Sequence, residues 1–118
     1  MSKVAIILLA AESTAEGTGR MANALIAALE FSEAGDEIKL FFDGAGVTWV
    51  PRLTNPEEKY ARLFEKVRPA VAGACLYCSR AYGVKDEVEA SGVPFSADFK
   101  DHPSIRTLVD DGYQVITF

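Results

Sequence analysis

The sequence predicts an α/β fold: an open, mostly parallel sheet of about five strands between helices, a three-layer α/β/α arrangement. Three observations predict it. The first apolar run, near the N-terminus, is apolar throughout rather than alternating, which marks a strand buried on both faces. Later segments carry apolar residues at helical spacing and are bounded by capping residues, proline and glycine. Strand and helix signals alternate from end to end, the pattern of parallel strands joined by crossover helices. With 118 residues and no repeat, low-complexity tract or linker, residues 1–118 read as a single domain.

Lys3–Leu9 is the first strand, and Ala10–Gly19, rich in Ser, Thr and Gly, is a loop. A helix follows from Thr18 or Arg20 to Ala34, with Met21, Leu25, Ala28 and Leu29 inward and Gly35 as its stop. Ser13 with Glu16 offers a capping box and an earlier start, which Gly17 and Gly19 weaken. Glu37–Phe42 is the second strand, Asp43–Gly46 a turn, and Val47–Thr54 an irregular connection carrying Trp49. Asn55 as cap, Pro56 at the first position and Glu57 and Glu58 against the dipole open the next helix. Tyr60, Leu63, Phe64 and Val67 form its apolar face, and Pro69 closes it. Ala70–Cys75 is the third strand, followed by a short helix from Tyr77 to Tyr82 that Gly83 ends, then a helical stretch Lys85–Ser91. Val93–Ala97 is extended. Asp101 or His102 caps a last helix opened by Pro103, with Ile105, Leu108 and Val109 inward and Gly112 as its stop. Tyr113–Phe118 closes the sheet.

Composition narrows the function. Hydrophobic residues make up 49% of the chain, enough for a core, and a net charge of −5 argues against nucleic acid or an anionic membrane as partner, since both select cationic surfaces. The apolar N-terminus is too short for a membrane span and runs into Glu12 rather than a cleavage region, so the expected location is the cytoplasm, where thiols stay reduced.

In open α/β sheets, ligands gather at the carboxyl ends of the strands. Three segments fall there: the Glu12–Gly19 loop, the Asp43–Gly46 turn and Cys75-Leu76-Tyr77-Cys78. Both cysteines of the chain lie in the last one. A thiolate is the reactive form of cysteine, and helix amides and cations favour it. Cys75, at the strand tip, is the expected nucleophile and Cys78 the partner or resolving thiol, with Tyr77 beside them and Arg80 adding positive potential. The opposing reading is that both cysteines simply pack strand against helix. Two cysteines and the single His102 fall short of the four ligands of a structural zinc site, so no metal is expected. His102 reads as a cap or surface residue. Ser13, Thr14, Gly17, Thr18 and Gly19 form a possible anion-binding loop, although the same composition serves a plain turn and cap. No phosphate-loop or dinucleotide fingerprint is present, and no cofactor is expected; flavin is a minor option. Trp49, with Phe41 and Phe42 upstream, reads as a subunit contact or as ordinary packing.

Leu40-Phe41-Phe42-Asp43-Gly44-Ala45-Gly46-Val47, Ala74-Cys75-Leu76-Tyr77-Cys78-Ser79-Arg80-Ala81-Tyr82-Gly83-Val84 and Tyr113-Gln114-Val115-Ile116-Thr117-Phe118 together resemble the DsrE/DsrF-like family. The resemblance implies a flavodoxin-like subunit that assembles into trimers or hexamers. It also implies sulfur relay in some members, with a cysteine at the end of the third strand taking a persulfide sulfur from a donor protein and passing it to an acceptor. By spacing to the glycine after the short helix, that residue matches Cys75. Relay subunits often lack a second cysteine, so Cys78 leaves room for dithiol chemistry.

Three functional expectations result: a sulfur carrier (a possible sulfurtransferase) using Cys75 with Cys78, a thiol–disulfide redox protein using the pair, and a non-enzymatic module that binds a ligand or partner. An exposed, unpaired Cys75 favours the first, a close exposed pair the second, and a buried pair mere packing.

Overall fold

The computed structural model describes residues 1–118. Its strands are β1 (Lys3–Leu8), β2 (Glu37–Phe42), β3 (Val71–Cys75), β4 (Phe95–Ser96) and β5 (Gln114–Thr117). Its helices are α1 (Ala15–Glu33), α2 (Trp49–Leu53), α3 (Ala61–Val67), α4 (Leu76–Ala81), α5 (Lys85–Ser91) and α6 (Ile105–Asp110). All five strands are parallel, in the order β4-β3-β2-β1-β5. The architecture is the flavodoxin-like three-layer one that the sequence predicts.

The layers are unequal, for a reason of handedness. The chain steps from β1 to β4 in one direction across the sheet, and right-handed crossovers then put every intervening helix on the same face. The return from β4 to β5 runs the other way and places α6 alone on the opposite face. The packing agrees. Val4, Ile6, Leu8, Leu40 and Phe42 join a cluster of 20 buried residues with Met21, Leu25, Trp49, Leu53 and Phe64. Ala5, Ile7 and Phe41, pointing the other way, share a cluster of 5 with Leu108 and Tyr113. Hence β1 is buried on both faces from Val4 to Leu8, as its unbroken apolar run requires.

Several boundaries differ from the sequence reading. α1 begins at Ala15, not at Thr18 or Arg20, and its cap is Thr14, whose hydroxyl accepts from Gly17 N at 2.9 Å. The Ser13–Glu16 box does not form. Gly17 is required rather than merely tolerated, because a Cβ there would lie 1.8 Å from Ala11 O. Val47–Thr54 is regular: a 3-10 helix over Gly44–Thr48 runs into α2, and Val47, Trp49, Val50 and Leu53 are all buried. Trp49 is therefore core rather than a subunit contact. Asn55 makes a local turn by accepting from Glu57 N at 3.0 Å, and Glu58 pairs with Arg52 at 3.0 Å, so α3 starts only at Ala61. α4 starts at Leu76, and β4 shrinks to Phe95–Ser96. α6 is capped by Ser104, not by Asp101 or His102, and begins at Ile105 rather than Pro103. Of its expected inward residues only Leu108 is buried; Ile105 and Val109 are exposed. No helix is long and apolar enough to cross a membrane.

Gly46 brings the turn after β2 against β1: a Cβ there would lie 1.9 Å from Leu8 O. Gly46→Ala is expected to cost about 2–3 kcal/mol through overpacking. Gly19→Ala, in α1 with open space around it, is expected to gain about 0.5–1 kcal/mol by helix propensity. Urea unfolding of the two variants checks both signs.

Tyr113 Oη donates to Glu37 Oε2, and this bond, helped by Lys3 and Lys39, holds the Glu37 carboxyl below its ordinary 4.5. A carboxylate lowered in the folded state stabilises the fold above its unfolded pKa, and that contribution is lost as pH falls through the folded value. The Tm gap between wild type and Tyr113→Phe should therefore narrow from about pH 6 to about pH 3. A constant gap in calorimetry would assign the effect to packing instead.

Candidate functional site

β2 and β3 are sheet neighbours, with Phe42 opposite Ala74, so the residues that follow them emerge side by side at the carboxyl edge. Cys75 ends β3 and caps α4; its Sγ accepts from Cys78 N at 3.4 Å. The helical step from residue 75 to 78 keeps the second thiol in the same turn. Asp43 follows β2 and caps the 3-10 helix, its Oδ1 accepting from Gly44 N at 2.8 Å and from Cys78 Sγ at 3.5 Å. The close seat of Gly46 on Leu8 O helps fix where this turn lies.

A third segment completes the site. Phe99 and His102 exchange backbone hydrogen bonds of 2.9 Å in both directions around Lys100 and Asp101, which have φ of +48° and +66°. Two central residues at positive φ make a mirror-image turn that ordinarily uses Asn and Gly. With Lys and Asp there, the strain is of order 1–2 kcal/mol per residue. The turn places His102 Nδ1 3.2 Å from Cys75 Sγ and directs Asp101 O at Tyr77 N (2.9 Å) and Cys75 Sγ (3.6 Å). Arg80 holds the turn through an ion pair with Asp101 at 3.1 Å, and the Tyr77 ring lies over His102 with centroids 4.8 Å apart.

The ligand atoms of Asp43, Cys75, Cys78 and His102 thus all lie within 4.8 Å of one another. Cys75 is fully buried and Cys78 is 9% exposed, while Asp43 and His102 are half-buried. Burial pushes the Cys75 thiol up to about 12, with Asp43 adding to the rise and the Cys78 amide opposing it. Burial raises Cys78 as well, with Asp43 again adding, against the opposing Cys75 and Gly44 contacts. Burial thus works against the resting thiolate expected at a helix start.

The structure brings together Cys75, Cys78 and Tyr77 as expected and changes the roles of three neighbours. Arg80 serves the 99–102 turn through Asp101 instead of supplying charge to the thiols. His102 is neither cap nor surface residue but the imidazole at Cys75. Asp43, read as a turn residue, is the fourth polar group; its position at a strand tip was the available signal. The pair is buried and close, which alone would mean packing, but a carboxylate and an imidazole converging on it are not what a packing contact needs. The Ser13–Gly19 segment divides differently: Thr14 and Gly17 satisfy each other in the cap, Thr18 Oγ1 bonds Thr14 O at 3.2 Å, and Gly19 lies inside α1. Beside it Arg20 and Glu16 form an exposed pair at 3.7 Å, on a shallow pocket of about 290 Å³ with Leu9, Thr117 and Phe118.

Chemically, the arrangement offers a buried thiol with an imidazole nitrogen beside it, a second thiol at its edge, and a mixed sulfur, nitrogen and oxygen donor set. An uncharacterized protein of Methanocaldococcus jannaschii, MJ0733, is 30% identical over 96 residues, covering 81% of this chain and 78% of that protein. The solved structure of a conserved protein of unknown function from Bacteroides thetaiotaomicron, BT1422, shares the fold, with a TM-score of 0.64 at 15% identity over 97% of this chain and 94% of that one. The model of the DsrE/DsrF-like family matches residues 3–118, and on that match this chain belongs to the DsrE/DsrF-like family.

Proposed function

We propose that this protein carries sulfane sulfur as a persulfide on Cys75, with His102 moving the proton and Cys78 assisting. The observation that carries the reading is the 3.2 Å contact between Cys75 Sγ and His102 Nδ1 at the tip of β3. It supports this role within a family related to sulfur relay. A thiol raised to about 12 is a poor nucleophile unless a base takes its proton as it attacks, and His102 is in place to do so.

In the loading step Cys75 Sγ passes its proton to His102 and attacks the terminal sulfur of a donor persulfide. The new S–S bond forms on Cys75 as the donor's S–S bond breaks. The electron pair leaves with the donor thiolate, which takes up the proton. Nothing is oxidised or reduced overall, and an acceptor thiol unloads the sulfur by the same exchange. Alternatively Cys78 attacks Cys75 Sγ, expels hydrosulfide and closes a disulfide, which a thiol reductant then reopens. The placement of both sulfurs within 4.8 Å supports this second exit. It also supports the rival reading, redox cycling of the pair. The cytoplasm, where thiols remain reduced, is the setting this reading assumes.

Self-association into a trimer or hexamer is part of the proposal. With Val47, Trp49 and Val50 buried, the surface that supports it lies around α6, where Phe99, Ile105 and Val109 are exposed. Light scattering at micromolar concentration that shows only monomer would remove this element.

Mass spectrometry tests the main reading. Incubation with a cysteine desulfurase and cysteine should add one sulfur, and Cys75→Ser should abolish the gain. His102→Gln should slow loading roughly 10²-fold or more. Disulfide formation without any sulfur gain would favour redox cycling, and no gain from any donor would overturn the carrier. Access gives an independent check: because Cys75 is fully buried and Cys78 is not, iodoacetamide should label Cys78 first. Labelling of Cys75 first would mean that the tip opens in solution.

A further inference from the structure

We propose that Asp43, Cys75, Cys78 and His102 form a binding site for a divalent cation of the zinc class. This goes beyond the sulfur reading and does not depend on it.

The convergence is the first argument. The four donors come from three separate segments: the turn after β2, the β3–α4 junction and the 99–102 turn. The Cys-x-x-Cys supplies two thiols at the spacing common in zinc sites, and His102 and Asp43 supply the nitrogen and oxygen that complete a four-ligand set. Ligand counting on cysteines and histidine alone stops at three, because it omits the carboxylate.

Geometry is the second. Metal–ligand distances of 2.0–2.3 Å in a tetrahedron put donor atoms about 3.3–3.8 Å apart. Cys78 Sγ to Asp43 Oδ1 is 3.5 Å, Cys75 Sγ to His102 Nδ1 is 3.2 Å, and no pair exceeds 4.8 Å. The mix of two sulfurs, one imidazole and one carboxylate suits zinc better than magnesium or calcium, which take oxygen ligands.

Charge is the third. A divalent cation would be shared by one carboxylate and two thiolate sulfurs, a donor set that balances its charge. On binding, each thiol releases its proton to solvent as its sulfur bonds the metal, so one divalent ion displaces two protons without redox change. The surrounding contacts hold the ligands in place: Gly44 N on Asp43 Oδ1, the Tyr77 ring over His102, and Arg80 on the strained turn. A bound cation occupies both thiols, so metal and sulfur compete for this site.

The test titrates cobalt(II), as a spectroscopic stand-in for zinc, into the reduced full-length protein under anaerobic conditions. The expected result is one equivalent bound, with the intense visible bands of tetrahedral cobalt and a thiolate-to-cobalt charge-transfer band, both abolished by added zinc. Cys75→Ser and Cys78→Ser should each weaken the charge-transfer band. Asp43→Asn and His102→Gln should bind at least about 10-fold more weakly. Circular dichroism verifies that each variant is folded. Absence of the tetrahedral spectrum at one equivalent in folded, reduced wild type overturns the proposal. So does wild-type affinity in both Asp43→Asn and His102→Gln, which would reduce the site to a scavenging thiol pair. Sulfur loading is measured separately on chelator-treated protein: loading without cobalt uptake overturns the metal site alone, and uptake without loading overturns the carrier alone.

Discussion

Burial of β1 on both faces is the constraint from which the rest of the structure follows. Val4 to Leu8 have no exposed side, so the chain must supply a strand on each flank and a layer above and below. β2 and β5 provide the flanks. The larger layer comes from α1 to α5, because right-handed crossovers that all step the same way must land on one face. The smaller layer is α6, whose single buried residue, Leu108, closes over Ala5, Ile7 and Phe41 with Tyr113. One face of the sheet therefore carries most of the core, and the other is left thin, with apolar side chains exposed along α6.

The same topology makes the site. Parallel strands end at one edge, and β2 beside β3 sets Asp43 beside Cys75 and Cys78. The 99–102 turn reaches back over that edge from beyond β4. Its two left-handed residues are costly and serve no crossover. What they gain is placement: the Asp101 carbonyl on Tyr77 N and Cys75, and the His102 ring on Cys75. Strain at this point, with Arg80 tying down its far side, fits a site that is held in shape for chemistry. A buried thiol beside an imidazole and a buried thiol beside a carboxylate suit two different uses, proton-coupled sulfur exchange and cation binding. Both draw on the same four groups.

Much of this was legible residue by residue. The unbroken apolar run within Lys3–Leu9, the glycine stops and the alternation of signals led to the fold class, and the paired cysteines at a strand tip led to the candidate site. Errors gathered where local chemistry has two uses. Asn55 and Pro56 suit a helix start but make a turn once Arg52 captures Glu58. Val47, Val50 and Leu53 recur at a helical interval, yet Pro51 and the preceding glycines make that stretch read as irregular. Gly17 looks like a weak helix residue until Ala11 O is seen against it.

By itself the sequence determined most of the strands and helices and a mostly parallel sheet, and it singled out Cys75 and Cys78 as candidates at one strand edge. Those properties are local: burial imposes periods of two or 3.6 residues, and caps and turns act within a few positions. Only the tertiary structure decided that His102 faces Cys75, that Asp43 faces Cys78, that Arg80 serves the turn rather than the thiols, and that both sulfurs are buried. Those contacts span 27 and 35 positions in the chain. No periodicity records them, because they exist only when three strand-edge segments meet in space.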